Sequence, residues 1–171
     1  MAKSTKESFY SQIKDILSKS LDSIFIIGKG SSADNFDFSN VSENSLVINI
    51  NDSERIYPGE IAIFHSDWVL PSIEENGFKS KLYISPFNLS DYGVNHLIIP
   101  KEDNDQDVQD LLFQRLLDES LSIENYIFTS ALKVANIIAS QKNKVLKVYL
   151  IGFDFDINKG YSNQFKKNYN Q

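Results

Sequence analysis

A short apolar segment that ends in a glycine-rich turn constrains the fold of this 171-residue chain more than any other feature. Residues 24–27 read IFII and are followed directly by GKGSS at 28–32. A continuous apolar run of this length is typical of a strand buried on both faces, as in a parallel sheet. The glycines allow a sharp turn and a close approach of the backbone to a ligand. Exposed amides and two hydroxyls there suit an anionic group such as phosphate, although an ordinary strand-to-helix turn uses the same residue types.

Five further apolar runs and several helical patterns follow along the chain. Additional strands are predicted over 46–51, 61–64, 82–85, 97–99 and 147–152, and helices over 4–20, 111–117 and 129–140, with one helical turn at 53–56. Strands that alternate with crossover connections indicate an α/β fold with a doubly wound, Rossmann-like, mostly parallel sheet. We therefore expect an N-terminal helix in residues 1–21 and one nucleotide-sugar-binding domain over 22–171, which could be part of a longer chain.

The composition excludes several classes of function. The net charge of −6 argues against a broad nucleic-acid surface. The chain has no cysteine and only two separated histidines, so neither disulfides nor a zinc ligand set is expected. No apolar window approaches the roughly 18 residues of a membrane span, and a cytoplasmic location is expected. A P-loop motif is absent, and the Gly-x-Gly-x-x-Gly pattern of a dinucleotide site is incomplete because its last position is Ala33.

Polar residues that follow the apolar runs form the candidate site, because ligands of such sheets bind at the carboxyl ends of the strands. These candidates are Gly28, Gly30, Ser31 and Ser32, then Asn49 and Asn51, then His65, Ser66 and Asp67, then Thr129 and Ser130, and finally Gly152, Asp154 and Asp156. Thr129 or Ser130 is predicted to cap a helix N-terminus, which could also bind a phosphate. His65 beside Asp67 is either an acid–base pair or an ordinary, partly buried histidine.

Taken in order, these segments resemble the bacterial sialyltransferases of glycosyltransferase family 42. Those enzymes open with a strand and a Gly-x-Gly-Pro-Ser loop, which corresponds to GKGSS at 28–32. Their second strand ends in an asparagine that helps to hold the cytidine nucleotide, and Asn51 occupies that place. A Thr-Ser pair that opens a helix matches Thr129 and Ser130. The family's strand ending in Ser-Gly-Ile-Asp-Phe is matched by IGFDF at 151–155.

A tyrosine that contacts phosphate in this family follows that strand, and Tyr161 is its nearest match. The resemblance implies a CMP-activated nonulosonic acid as ligand, a glycan acceptor, and inverting transfer without a metal or other cofactor. The nucleotide-binding residues that we predict on this basis are Gly28, Gly30, Ser31, Ser32, Asn51, Thr129, Ser130, Gly152, Asp154 and Tyr161.

The sequence also departs from the family pattern. The family's lid histidine, its general base, has no counterpart after Tyr161, which leaves His65 as the catalytic candidate within the chain. His65 itself stands where the family's third strand ends in asparagine. An arginine before the Thr-Ser pair is replaced by Ile127, and a phosphate-binding tyrosine is replaced by Asp156.

Two alternatives follow from these departures. The first is a noncatalytic sialyltransferase-like module that works with a partner domain of a larger glycan-biosynthesis protein. The second is a pyrophosphoryl transferase, because the related DUF115-type proteins share the Gly-x-Gly-Ser opening and include a pterin pyrophosphokinase. That enzyme class would use ATP and magnesium, with carboxylates such as Asp67 and Asp154 near the phosphates.

Overall fold

Six parallel strands form one sheet in the computed structural model, which describes residues 5–101, 121–124, 126–154, 156 and 158–165. The strands are β1 (Ser23–Ile27), β2 (Ser45–Ile50), β3 (Ile61–Ile63), β4 (Leu82–Ser85), β5 (His96–Ile98) and β6 (Lys147–Ile151). Their order across the sheet is β5-β4-β3-β2-β1-β6, and every neighbouring pair is parallel. The predicted fold class is therefore confirmed.

Helices cover both faces of the sheet. They are α1 (Thr5–Gln12), α2 (Lys14–Ser18), α3 (Val69–Asn76) and α4 (Ile127–Lys142), with short 3₁₀ helices at Ser31–Asn35, Phe38–Asn40, Ser53–Arg55 and Ser90–Tyr92. Side chains of α1, α2 and α4 pack with Ile24, Ile26 and Ile48 in the largest apolar cluster. On the opposite face, α3 packs on Ala62 and Tyr83.

The helices differ from the prediction in two places, and one predicted helix is not tested. The N-terminal helix divides at Ile13 into α1 and α2 (φ −97°, ψ 10°), and Ile13 is fully buried in the core. Helix α3 was not predicted; its sequence, VLPSIEEN, contains a proline in the first turn, where a helix tolerates it. The predicted helix at 111–117 lies outside the described residues. None of the helices in the described part of the chain is long and apolar enough to cross a membrane.

The strand order places a switch point between β1 and β6. From β1 to β5 the chain advances in one direction across the sheet, and β6 then pairs on the other side of β1. Because the connections diverge at this point, a crevice opens beyond the carboxyl ends of the two strands. The glycine-rich turn at 28–32 follows β1 directly, and Gly152 follows β6 directly, so the topology brings both motifs to this crevice.

Candidate functional site

The turn after β1 packs tightly against the turn after β6. The amide of Gly28 donates to the carbonyl of Ile151 at 2.7 Å, and the amide of Gly30 donates to the carbonyl of Gly152 at 2.8 Å. A Cβ atom at Gly30 would lie 2.7 Å from the Gly152 oxygen, and one at Gly28 would lie 2.8 Å from the same atom. The glycines are therefore required by the contact between the two turns, whatever ligand they approach.

Asp154 occupies the start of the 3₁₀ helix at Ser31–Asn35. Its Oδ2 atom accepts hydrogen bonds from the Ser32 amide at 3.0 Å and from the Ser31 hydroxyl at 3.2 Å. Hydrogen bonding to Ser32 holds the pKa of Asp154 below its ordinary value, and Ser31 and the charge of Lys159 act in the same direction. The donors that the sequence suggested for a phosphate are thus bound by a carboxylate of the chain itself.

Lys29 is a buried cation between the two glycines. Its Nζ lies 2.9 Å from Oδ1 of Asp52, and both side chains are less than a tenth exposed. Three aromatic rings surround the ammonium, with centroids at 4.4 Å for Trp68, 4.8 Å for Phe165 and 5.3 Å for Tyr161. Cation–π contacts and an ion pair together compensate for the removal of this charge from water.

A cavity of about 340 Å³ opens beside these groups. Six of the ten predicted nucleotide-binding residues line it: Gly28, Gly30, Asn51, Gly152, Asp154 and Tyr161. The remaining lining residues are Lys29, Ile50, Trp68, Phe153, Asp156 and Gly160. Trp68 and Tyr161 are each about half exposed, at 49% and 47%, so the cavity has two accessible aromatic rings in its wall.

Different backbone contacts hold Asn51 and Tyr161 at the cavity. Asn51 follows β2 directly in a left-handed conformation (φ +53°), and its backbone amide donates to the carbonyl of Ile63 on β3 at 2.9 Å. Tyr161 forms an isolated antiparallel bridge with Gly30. The next residue, Ser162, donates its amide to the Lys29 carbonyl at 2.8 Å and its hydroxyl to Asp34. The segment 160–165 is thereby fastened to the turn after β1.

The Thr-Ser pair has a different position from the one predicted. Helix α4 begins at Ile127 with Tyr126 as its N-cap residue, so the prediction that Thr129 or Ser130 caps the helix is wrong. Both side chains are buried, and the Ser130 hydroxyl accepts a hydrogen bond from the Glu124 amide at 2.8 Å. Neither residue lines the cavity. The ring of Phe128 nevertheless packs on Phe153, with centroids 5.0 Å apart, which places the start of α4 near the turn after β6.

His65 lies outside the cavity wall. It follows β3, and its Nδ1 atom is 3.2 Å from the hydroxyl of Ser66. Asn49 is fully buried, where its amide group donates to Ser53 and to the carbonyl of Tyr57. Among the described residues, no group of three or more histidine, aspartate or glutamate side chains is arranged to hold a metal ion.

Sequence reasoning missed the buried charges. Lys29 was visible only as the variable position of the glycine motif, and Asp52 was not singled out between the strand predicted over 46–51 and the helical turn predicted at 53–56. The exposed ring of Trp68 was not proposed as part of the site either. A second buried ion pair joins Lys133 of α4 to Glu124 at 2.9 Å, and Lys133 also donates to the Ser122 hydroxyl. The signal that could have revealed it is a lysine on the otherwise apolar face of α4.

No family model and no curated protein matches the sequence. Among solved structures, the chain is similar to the sialyltransferase CstII from Campylobacter jejuni in complex with the substrate analogue CMP-3FNeuAc. The two sequences are 16% identical, the match covers 82% of this chain and 63% of that chain, and the TM-score is 0.43. Its complex with cytidine-5'-monophosphate gives 13% identity, 82% and 65% coverage, and a TM-score of 0.44. This chain therefore spans less than two thirds of the length of these structures.

Proposed function

We propose that the cavity between the turns after β1 and β6 binds the cytidine nucleotide of a CMP-activated nonulosonic acid. The observation that supports this proposal is the placement of predicted residues from four separate segments on one cavity: Gly28 and Gly30, Asn51, Gly152 and Asp154, and Tyr161. These are positions at which the sequence resembles a family of CMP-sugar enzymes. The cavity also lies at the switch point of the sheet, where ligands of doubly wound folds bind.

The size and chemistry of the cavity are compatible with a nucleotide. Its volume of about 340 Å³ is at the small end of the roughly 300–1,000 Å³ found for small-molecule pockets. A pyrimidine ring can stack on the exposed part of Trp68 or Tyr161, since both rings are held over Lys29. The Asn51 side chain supplies an amide donor and an amide acceptor at the same wall.

We propose binding rather than sugar transfer as the role of this chain. Transfer needs a base that deprotonates the acceptor hydroxyl within hydrogen-bond reach. His65, the catalytic candidate within the chain, does not line the cavity. A noncatalytic module that holds a CMP-sugar, and that cooperates with a partner domain in glycan biosynthesis, is consistent with this position of His65.

Titration calorimetry tests this proposal with CMP, CMP-sialic acid, AMP and ATP, each with and without Mg²⁺. We expect CMP and CMP-sialic acid to bind without metal, and Tyr161→Leu to weaken both. Tyr126→Leu is the matched control, because Tyr126 is also exposed but lies outside the cavity. Binding of ATP only with Mg²⁺ would favour the pyrophosphoryl transferase, and absence of any binding would reject the site.

A transfer assay separates the module from the enzyme. Radiolabelled CMP-sialic acid is incubated with lactosides and the full chain, and we expect no labelled product. Transfer that is lost in His65→Ala would show that the chain is a catalyst and would refute the binding-only role.

A further inference from the structure

We infer that the cavity recognises the nucleoside part of its ligand rather than the phosphate, and that Asp154 determines this preference. The inference rests on the proposed function, because it concerns how the same cavity would hold a cytidine nucleotide. It runs against the expectation from the sequence that the glycine-serine turn serves an anionic group.

The first reason is that Asp154 already uses the donors of the turn. Its Oδ2 atom lies 3.0 Å from the Ser32 nitrogen and 3.2 Å from the Ser31 hydroxyl oxygen. Oδ2 would also lie only 2.6 Å from a Cβ atom at Gly30, so the carboxylate fills the space directly beside the turn. A phosphate oxygen at these donors would have to displace a carboxylate and would then lie next to its negative charge.

The second reason is that the buried cation of the site is already neutralised. Lys29 lies 2.9 Å from Oδ1 of Asp52, and the two side chains are 8% and 4% exposed. Asp52 is fixed in turn, because its Oδ2 atom accepts a 2.6 Å hydrogen bond from the Ser72 hydroxyl. A phosphate could not draw on the full charge of Lys29 without leaving a buried aspartate unpaired, which is costly.

The third reason is the remaining charge around the cavity. Asp154 and Asp156 both line it. The charge of the exposed Lys159 lowers the pKa of Asp154. Lys29 is paired with Asp52, so the unpaired charges among the described lining residues are the two carboxylates of Asp154 and Asp156. A dianionic phosphate gains little from such a wall, whereas the rings of Trp68 and Tyr161 attract a planar base regardless of its charge.

Titration calorimetry of the 171-residue chain with cytidine and with CMP, at two salt concentrations, tests the inference. We expect the two affinities to agree within about threefold, and the affinity for CMP not to fall as salt is raised, because salt screens the repulsion. In Asp154→Asn, CMP should gain roughly tenfold over cytidine, since one charge near the phosphate is removed. Asp156→Asn, at an exposed carboxylate, should shift the ratio in the same direction by less.

The possible results separate the two proposals. If wild-type protein binds CMP more than tenfold more tightly than cytidine, with an affinity that falls in salt, the nucleoside preference is wrong while the nucleotide site stands. If neither compound binds, both proposals fail. Thermal melting of Asp154→Asn identifies a folding defect, and in that case the salt series on the wild type and the Asp156→Asn ratio decide.

Discussion

Two turns at the carboxyl edge of the sheet are built from similar residues but have different roles in the structure. The turn after β1 (28–32) and the turn after β2 (52–55, beyond the cavity-lining Asn51) both follow buried strands and carry polar side chains. In the turn after β2, Ser53 donates to the carbonyl of Ile27, and Glu54 accepts from Ser80 and Tyr83, so its polar groups tie strands together. The turn after β1 instead borders an open cavity.

The difference shows that a polar residue after a strand is not by itself a binding residue. Asp52, Ser53 and Glu54 are all at most 3% exposed, so they are part of the protein interior. The two turns are nevertheless coupled, because Lys29 of the first pairs with Asp52 of the second. The turn after β1 is therefore held in place by the buried turn after β2.

The largest loss of stability is expected from breaking the ion pair between Lys29 and Asp52. Lys29→Met leaves Asp52 charged and buried, which should lower the free energy of unfolding by about 3–5 kcal/mol. Lys144→Met is the control, because Lys144 pairs with Asp22 where both side chains are 45% or more exposed, and a loss below about 1 kcal/mol is expected. Urea denaturation measures both values. Equal losses in the two variants would show that the Lys29–Asp52 pair does not hold the turns together.

A smaller loss of stability is expected from a substitution that forces the turns after β1 and β6 apart. Gly30→Ala places a Cβ atom 2.7 Å from the Gly152 carbonyl oxygen and should cost about 2 kcal/mol through local displacement. In Gly160→Ala the new methyl group meets nothing within 4 Å, and about 1 kcal/mol is expected from the positive φ of +66° alone. Thermal melts compare the variants. A Gly30→Ala protein as stable as the wild type would mean that the two turns are not in close contact.

The sequence predicted the fold more completely than the site, for a physical reason. Strand β1 and its partners are continuous apolar runs, and local sequence reveals such runs directly. The pairing of Lys29 with Asp52, and of Asp154 with Ser32, joins residues that are 23 and 122 positions apart. Only the strand order brings them together. The cap of α4 was misplaced because Ser130 looks like a capping residue but holds the Glu124 amide from within the helix.

The smallest loss of stability is expected from Tyr83→Phe on β4, which removes one hydrogen-bond partner of Glu54 in the turn after β2. The Tyr83 hydroxyl donates to Oε2 of Glu54 at 2.7 Å and accepts from the Lys79 amide at 2.8 Å. Since Glu54 keeps its two hydrogen bonds from Ser80, we expect a loss of about 1 kcal/mol at neutral pH.

The pH dependence of the stability loss in Tyr83→Phe tests whether the Tyr83 hydroxyl is buried against Glu54. Burial, followed by the hydrogen bond to Glu54, raises the pKa of Tyr83 above its ordinary value of 10.0. A raised pKa in the folded state means that the contribution of Tyr83 is fully present below pH 10 and is lost as the pH rises above that value. The stability difference between wild type and Tyr83→Phe, measured by urea denaturation from pH 7 to 11, should therefore shrink at the alkaline end. A constant difference would indicate that the Tyr83 hydroxyl is open to solvent, and the contrast between the two turns would then be lost.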